Sequence, residues 1–103
     1  YWWGVPGKMK TFIDRLYFYH SSHNKKLIAG KKAMVFSPMN MNSDNPRIDI
    51  FKNFYDILFD NLDLKFVGGY YFGNVNEKGA LVKRSEYMEQ INDLGKNLNQ
   101  YFD

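Results

Sequence analysis

The sequence predicts an α/β fold with a parallel sheet, laid out as part of a doubly wound domain. Three observations point there. The order of elements is helix, strand, helix, strand, helix, and strands alternating with helices of this length imply right-handed crossovers between parallel strands. The run Ala33-Met34-Val35-Phe36 is apolar at successive positions, hence on both faces of a strand, which suits a strand buried between helix layers. The helical segments each carry one apolar stripe and an opposing polar face. Two parallel strands do not form an independently stable sheet, so the pattern describes a portion of a larger sheet.

The first helix opens at Pro6-Gly7, and Pro6 suits a first turn because its fixed φ is helical and its missing N–H has no partner there. Met9, Phe12, Ile13 and Leu16 follow at the offsets that share one helix face. The pattern fades near His20, and Ser21 to Asn24 read as polar punctuation. Gly30 closes the loop, and Lys31 to Ser37 form the first strand. Pro38 to Pro46, rich in Asn, Ser and Asp, cannot extend it. A second helix over 47–62 takes Asn45 as N-cap and Pro46 in its first turn. Its expected stripe is Ile50, Phe51, Phe54, Leu58 and Leu62 with Ile57 beside it, opposite Asp49, Lys52, Asn53, Asp56 and Asp60. The second strand spans about Lys65 to Phe72, where Gly68-Gly69 marks a bulge or the close approach of another backbone. After a loop through Asn74, Asn76 and Gly79, a last helix capped by Ser85 carries Met88, Ile91, Leu94, Leu98 and Tyr101.

Composition bounds the function classes. The chain of 103 residues allows one small domain, and 45% hydrophobic with 24% charged residues is ordinary globular composition. Net charge is +3, with fourteen Lys and Arg spread along the chain. The pairs Lys25-Lys26 and Lys31-Lys32 flank a turn and read as a solvated loop, and no basic stripe with interleaved aromatics marks a nucleic-acid surface. Cysteine is absent, which removes disulfides, thiolate chemistry and Cys-based metal sites. No apolar run approaches the ~20 residues of a membrane span and no secretory signal is present, so the default location is cytoplasmic, without a membrane partner. His20 and His23 lie in a polar turn without a third ligand at suitable spacing, and read as exposed loop histidines rather than a metal site. The first residue is Tyr1 rather than Met, with loop and helix signals directly after it; the expectation is that the chain is a piece of a longer polypeptide.

The richest segment is Tyr1-Trp2-Trp3-Gly4-Val5-Pro6-Gly7-Lys8-Met9-Lys10-Thr11-Phe12-Ile13-Asp14-Arg15. Successive residues of a strand or helix turn to different faces, so one neighbour cannot bury all three leading aromatics. A loop ending at a helix N-terminus can show aromatic faces to a planar ligand. Residue chemistry alone leaves two readings open, a planar-ligand site and a surface packing cluster, and gives the cluster the greater weight. The segment resembles the pattern Y-W-x-G-x-P-G-x-(L/M)-K-x-(F/W)-I-D-R, which follows the third strand in flavodoxin-like NAD(P)H-dependent FMN reductases and quinone reductases. Leu27 to Ser37 is similar to the family's approach to its fourth strand. Asp93-Leu94-Gly95-Lys96-Asn97-Leu98 is similar to its closing helix.

The resemblance covers the chain from the family's third helix through its fourth strand, fourth helix, fifth strand and fifth helix. It implies the C-terminal half of one flavodoxin-like domain with strand order 2-1-3-4-5, ligand at the carboxyl ends of the strands, and FMN and NAD(P)H as cofactors. Matched by position, Tyr1, Trp2, Trp3 and Gly4 would lie along the flavin ring, their amides toward its polar edge. Pro6, Gly7, Lys10, Asp14 and Arg15 would be structural. Ser37, Pro38, Met39 and Asn40 would close the other side of the ring; the family often has Gly, Thr or Ser where this chain has Met39 and Met41. The FMN phosphate loop follows the family's first strand, and no Ser/Thr/Gly-rich loop of that kind occurs here. Hydride would pass from nicotinamide to flavin and on to a quinone or another small-molecule acceptor, with no general acid or base nominated. Tyr17, Phe18 and Tyr19 read as helix packing before substrate mouth. The competing expectations are a non-catalytic exchanged module that binds no flavin and, third, a flavodoxin-type electron carrier. Because the first strand is apolar on both faces, its open edge is expected to be covered by an upstream strand or a second copy. For this chain alone, that implies a homo-oligomer.

Overall fold

The structure, a computed structural model, describes residues 2–102. Its elements are α1 (Gly7–Arg15), a 3-10 turn (Leu16–Tyr19), α2 (Ser22–Lys25), β1 (Lys32–Pro38), α3 (Ile48–Asn61), β2 (Lys65–Phe72), α4 (Ser85–Lys96) and α5 (Asn99–Phe102). The mixed helix–strand composition agrees with the expected α/β class. β1 and β2 form a two-stranded sheet. Backbone bonds advance in the same direction along both segments, from Lys65 N–H to the Lys31 carbonyl (2.8 Å) to Met39 N–H on the Phe72 carbonyl (2.9 Å). Parallel strands give that sense, as the alternating pattern requires.

The chain divides into two compact units. The first comprises residues 1–33 and 46–66, the second 34–45 and 67–103.

In the first unit the core is Ile13 of α1 with Ile48, Phe51, Tyr55 and Phe59 of α3 and Leu62 just beyond it. Tyr55 meets Phe51 edge-on at 5.1 Å and Phe59 at 5.6 Å, and Phe59 in turn meets Phe66 at 5.1 Å. Burying each such side chain stabilises the fold by about 1.5–3 kcal/mol, and offset or edge-on aromatic pairs add to this. α3 ends in a Schellman motif. Asp63 adopts the left-handed conformation (φ 55°), its N–H bonds the Asp60 carbonyl, and Leu64 N–H bonds the Phe59 carbonyl at 2.9 Å. That turn aims the chain into β2, and the Asp63 carbonyl accepts from Gly30 N–H at 2.8 Å just before β1.

In the second unit Val35, at the middle of β1, and Phe72, at the carboxyl end of β2, are both buried. The loop after β1 is bonded to the segment after β2. Asn74 N–H reaches the Met41 carbonyl (3.2 Å) and Val75 N–H the Met39 carbonyl (3.0 Å). From α4, the Tyr87 hydroxyl donates to the Gly73 carbonyl at 2.8 Å, and its ring meets Phe72 edge-on at 5.1 Å.

Several expectations require correction. β1 runs one residue later than expected, ending at Pro38. Ser21 to Asn24 is not mere punctuation, because the Ser21 hydroxyl caps a one-turn helix by accepting from Asn24 N–H. α3 begins at Ile48, preceded by a tight turn in which Asp49 N–H bonds the Pro46 carbonyl, so Asn45 and Pro46 sit just outside it. Its buried stripe is Ile48, Phe51, Tyr55, Phe59 and Leu62. Of the expected stripe only Phe51 and Leu62 are buried; Phe54 and Leu58 are half-buried, while Ile50 and Ile57 are 65% and 62% exposed. α1 buries only Ile13 of its four stripe residues, leaving Met9 and Phe12 exposed. The close approach at Gly68 comes from the Tyr70 phenol, two residues along the same strand face, and not from a backbone. The last helix breaks at Asn97 into α4 and α5, starts at Ser85 itself, and buries none of its stripe residues fully.

Candidate functional site

The segment before α1 is where sequence and geometry both concentrate. Tyr1 lies outside the described residues. Trp2 and Trp3 both adopt left-handed backbone conformations, with φ of 54° and 61°. For L-residues other than Gly and Asn this region is costly because Cβ crowds the following carbonyl. Two bulky side chains in succession are held there, immediately ahead of exposed Gly4 and half-buried Val5 and Pro6. Pro6 takes the N-cap position and its carbonyl accepts the first helical bond, from Lys10 N–H at 2.9 Å. The helix behind the loop is tied by Lys10–Asp14 pairing and by Thr11 Oγ1 donating to the Gly7 carbonyl. Lys10 and Asp14 pair on the exposed side of α1, while Arg15 places a cation in the last turn, where it complements the helix dipole.

The two indoles differ in setting. Trp2 is 88% exposed, and its ring tilts against Trp3 at 5.9 Å. Trp3 is less exposed and carries the Arg47 guanidinium 5.6 Å from its ring centroid. A cation–π contact at an exposed site is worth about 0.5–1 kcal/mol, enough to orient one ring face. The aromatic loop thus presents one open indole and one that already has a cation on it.

Ser37, Pro38, Met39 and Asn40 belong to the second unit, so this group and the Trp2–Gly4 group are described separately. Ser37 and Pro38 end β1, and Met39 and Met41 are held by the backbone bonds to Phe72, Val75 and Asn74 given above. Ser37 and Met39 are half-buried; Pro38 and Asn40 are exposed. Gly73 allows the 41–43 loop to pass, since a Cβ there would sit 2.6 Å from Ser43 N and 2.7 Å from the Met41 carbonyl oxygen. Methionine at 39 and 41 is thus part of a loop defined by its backbone.

Tyr17 and Phe18, expected to pack, are exposed in the 3-10 turn, and Tyr19 is half-buried with Phe18 edge-on at 5.0 Å. Within the first unit, Tyr17 joins Ile13, Leu16, Phe54, Leu58 and Leu62 around an open apolar hollow of about 500 Å³. No single motif announces it; the signal was the second apolar face of α3. A hollow of about 490 Å³ in the second unit is lined by Tyr70, Glu86, Glu89, Asp93, Leu94 and Tyr101. Burial, and then a hydrogen bond with Tyr101, pushes the Tyr70 phenol up from its ordinary value. Glu86 is held low by its own backbone N–H and by Arg84, 2.6 Å away.

His20 and His23 are exposed; His20 lies 5.8 Å from the Tyr17 ring and His23 falls in α2, not in a loop. Among the described residues no helix is long and apolar enough to cross a membrane. Compared with models of protein families, with curated proteins and with solved structures, the chain matches none.

Proposed function

We propose that this chain forms one wall of an FMN site in a flavodoxin-like, NAD(P)H-dependent oxidoreductase, as the C-terminal half of its domain. The observation that supports this most is the paired left-handed backbone at Trp2 and Trp3 beside an exposed indole. Residues held in such regions cost about 1–3 kcal/mol each and cluster at ligand clamps. A loop shaped against a planar ring would hold such strain for a purpose, in addition to the ring and cation contacts it already makes.

The residues present fit the ring of FMN and not its phosphate. An open indole ahead of a helix start can stack on a flat ring and exclude water from one face. The two described strand-to-helix connections, 39–47 and 73–84, hold no Ser/Thr/Gly-rich cradle, so the phosphate would be held elsewhere in the polypeptide. When bound, FMN would supply hydride acceptance from NAD(P)H and electron delivery to a quinone or similar acceptor. Trp2 and Trp3 would orient the ring, and the amides of Trp2 to Gly4 would meet its polar edge. Ser37, Pro38, Met39 and Asn40 enter this reading through the family resemblance alone.

A second reading, a non-catalytic module whose tryptophans pack, draws on the Arg47–Trp3 contact. An equilibrium titration with FMN, followed by its visible absorbance, separates the two. Saturable binding is expected, and Trp2→Ala should weaken it about threefold to tenfold, the equivalent of one aromatic stacking contact. Affinity unchanged by both Trp2→Ala and Trp3→Ala would leave the packing reading standing. NAD(P)H oxidation by the flavin-loaded protein then distinguishes a reductase from an electron carrier.

A further inference from the structure

We propose that the face of α1 carrying Lys8, Phe12 and Arg15 docks an acidic protein segment, one that offers an apolar side chain between two carboxylates. The inference is independent of flavin binding.

Cations are spread evenly along this chain, but carboxylates are not. Residues 1–33 hold seven Lys and Arg against a single carboxylate, Asp14, while residues 34–103 hold seven against ten. In the basic part Asp14 pairs with Lys10, and Lys25 reaches Asp63, in the turn after α3, at 3.9 Å. Lys8 and Arg15 are exposed, and among the described residues neither has an ion-pair partner. Seven residues make about two helical turns, so the two stand in one narrow sector of α1, with Phe12 between them along the axis. Phe12 is 59% exposed there. Ile13, the residue that α1 buries, lies about 140–160° around the helix from the two cations. Whatever completes the core on the Ile13 side, upstream segments included, therefore leaves this face open.

The occupant is an acidic protein because the face has an aromatic centre and a cationic rim, the anatomy of a protein interface with one apolar anchor. At 1.5 Å per residue the two cations lie about 10 Å apart along the axis. Carboxylates three residues apart on an extended segment, at about 3.3 Å per residue, span the same distance and leave a side chain between them for Phe12. The excess positive charge of residues 1–33 steers such a partner toward this part of the molecule. A nucleic-acid strand needs cations that track its phosphates, and an anionic membrane is held by clusters of about four or more basic residues. This face supplies two, around an apolar centre. A second copy would bring like charges together.

The test is fluorescence anisotropy of a labelled hexapeptide, a Leu-Phe core flanked on each side by two glutamates, titrated with the protein. Saturable binding is expected, and it should weaken about fivefold or more as salt rises from about 0.05 to about 0.3 M. Lys8→Glu combined with Arg15→Gln should weaken it about tenfold, and Phe12→Ser about threefold or more. Circular dichroism checks that these surface variants fold. If one does not, the salt dependence and the loss of binding when the peptide's glutamates are replaced by lysines still decide on the unaltered protein. Absence of binding, affinity indifferent to salt, or affinity unchanged in both variants overturns the proposal. So does tighter binding to a single-stranded oligonucleotide or to phosphatidylserine vesicles than to the peptide, which would give the face to another polyanion. Self-association that Phe12→Ser abolishes overturns it as well, by giving the face to a second copy.

Discussion

Phe72→Ala is expected to lower stability by about 3–5 kcal/mol, the range for deleting a large buried aromatic. Phe72 is 2% exposed, at the carboxyl end of β2, edge-on to Tyr87 of α4. Its loss removes the transfer energy of the ring, leaves a cavity, and takes away the surface on which Tyr87 rests while donating to the Gly73 carbonyl. For a domain of this size the shift is roughly 4–8 °C in Tm per kcal/mol, so thermal denaturation followed by circular dichroism reads it easily. Phe36→Ala serves as the comparison. Phe36 is half exposed, and its stacking on Tyr70 is worth about 0.5–1.5 kcal/mol beyond area. Equal losses for the two variants would show that the carboxyl end of β2 is not where the second unit is held together.

Gly73→Ala should cost nearly as much by the opposite mechanism. The added methyl would stand 2.6 Å from Ser43 N and 2.7 Å from the Met41 oxygen. Both are backbone atoms, so no rotamer change relieves the clash, and the 41–43 loop must move. Overpacking costs about 1–3 kcal/mol and sometimes more; with two backbone contacts we expect about 3 kcal/mol or above. The displacement would also stretch the Asn74–Met41 and Val75–Met39 bonds, so their amides should lose exchange protection. Gly79→Ala, in a turn with φ of 79° but with open space at its Cβ, separates conformational strain from collision. A Gly73→Ala protein as stable as the parent would mean that the loop passes farther from β2 than described.

The three longer helices, the two strands and their order were legible in the sequence, because Pro and Gly punctuation and the doubly apolar run at Ala33–Phe36 are local signals; the short helical turns at 16–19, 22–25 and 99–102 were not. Nor was the register of α3. That helix carries two adjoining apolar arcs, one of Ile48, Phe51, Tyr55, Phe59 and Leu62, the other of Ile50, Phe54, Ile57 and Leu58, and helical periodicity accepts either. Tyr55 decides between them, since its ring links Phe51 and Phe59, and the sequence reading assigned it to neither face. At Gly68 the expectation was a bulge or another backbone, and the neighbour is instead the Tyr70 side chain, which a strand period of two puts above Gly68 only once the rotamer is known. The aromatic loop stood out in sequence as three consecutive rings. Its left-handed backbone could not, since nothing in the letters Trp-Trp specifies positive φ. The cation on Trp3 comes from Arg47, forty-four residues away in sequence, and such long-range pairing leaves no local trace.

The most direct test of the flavin-wall reading uses the chain's own tryptophans. Trp2 and Trp3 are the only two in the sequence, so intrinsic indole emission reports on this loop alone. Titrated with FMN and separately with riboflavin, the emission should fall saturably, because a flat ring stacked on the exposed Trp2 quenches it. The two midpoints should agree within about twofold, since the described loops supply no phosphate anchor and a phosphate contact would separate them by more. Emission that shows no saturable decrease with either flavin would contradict the account.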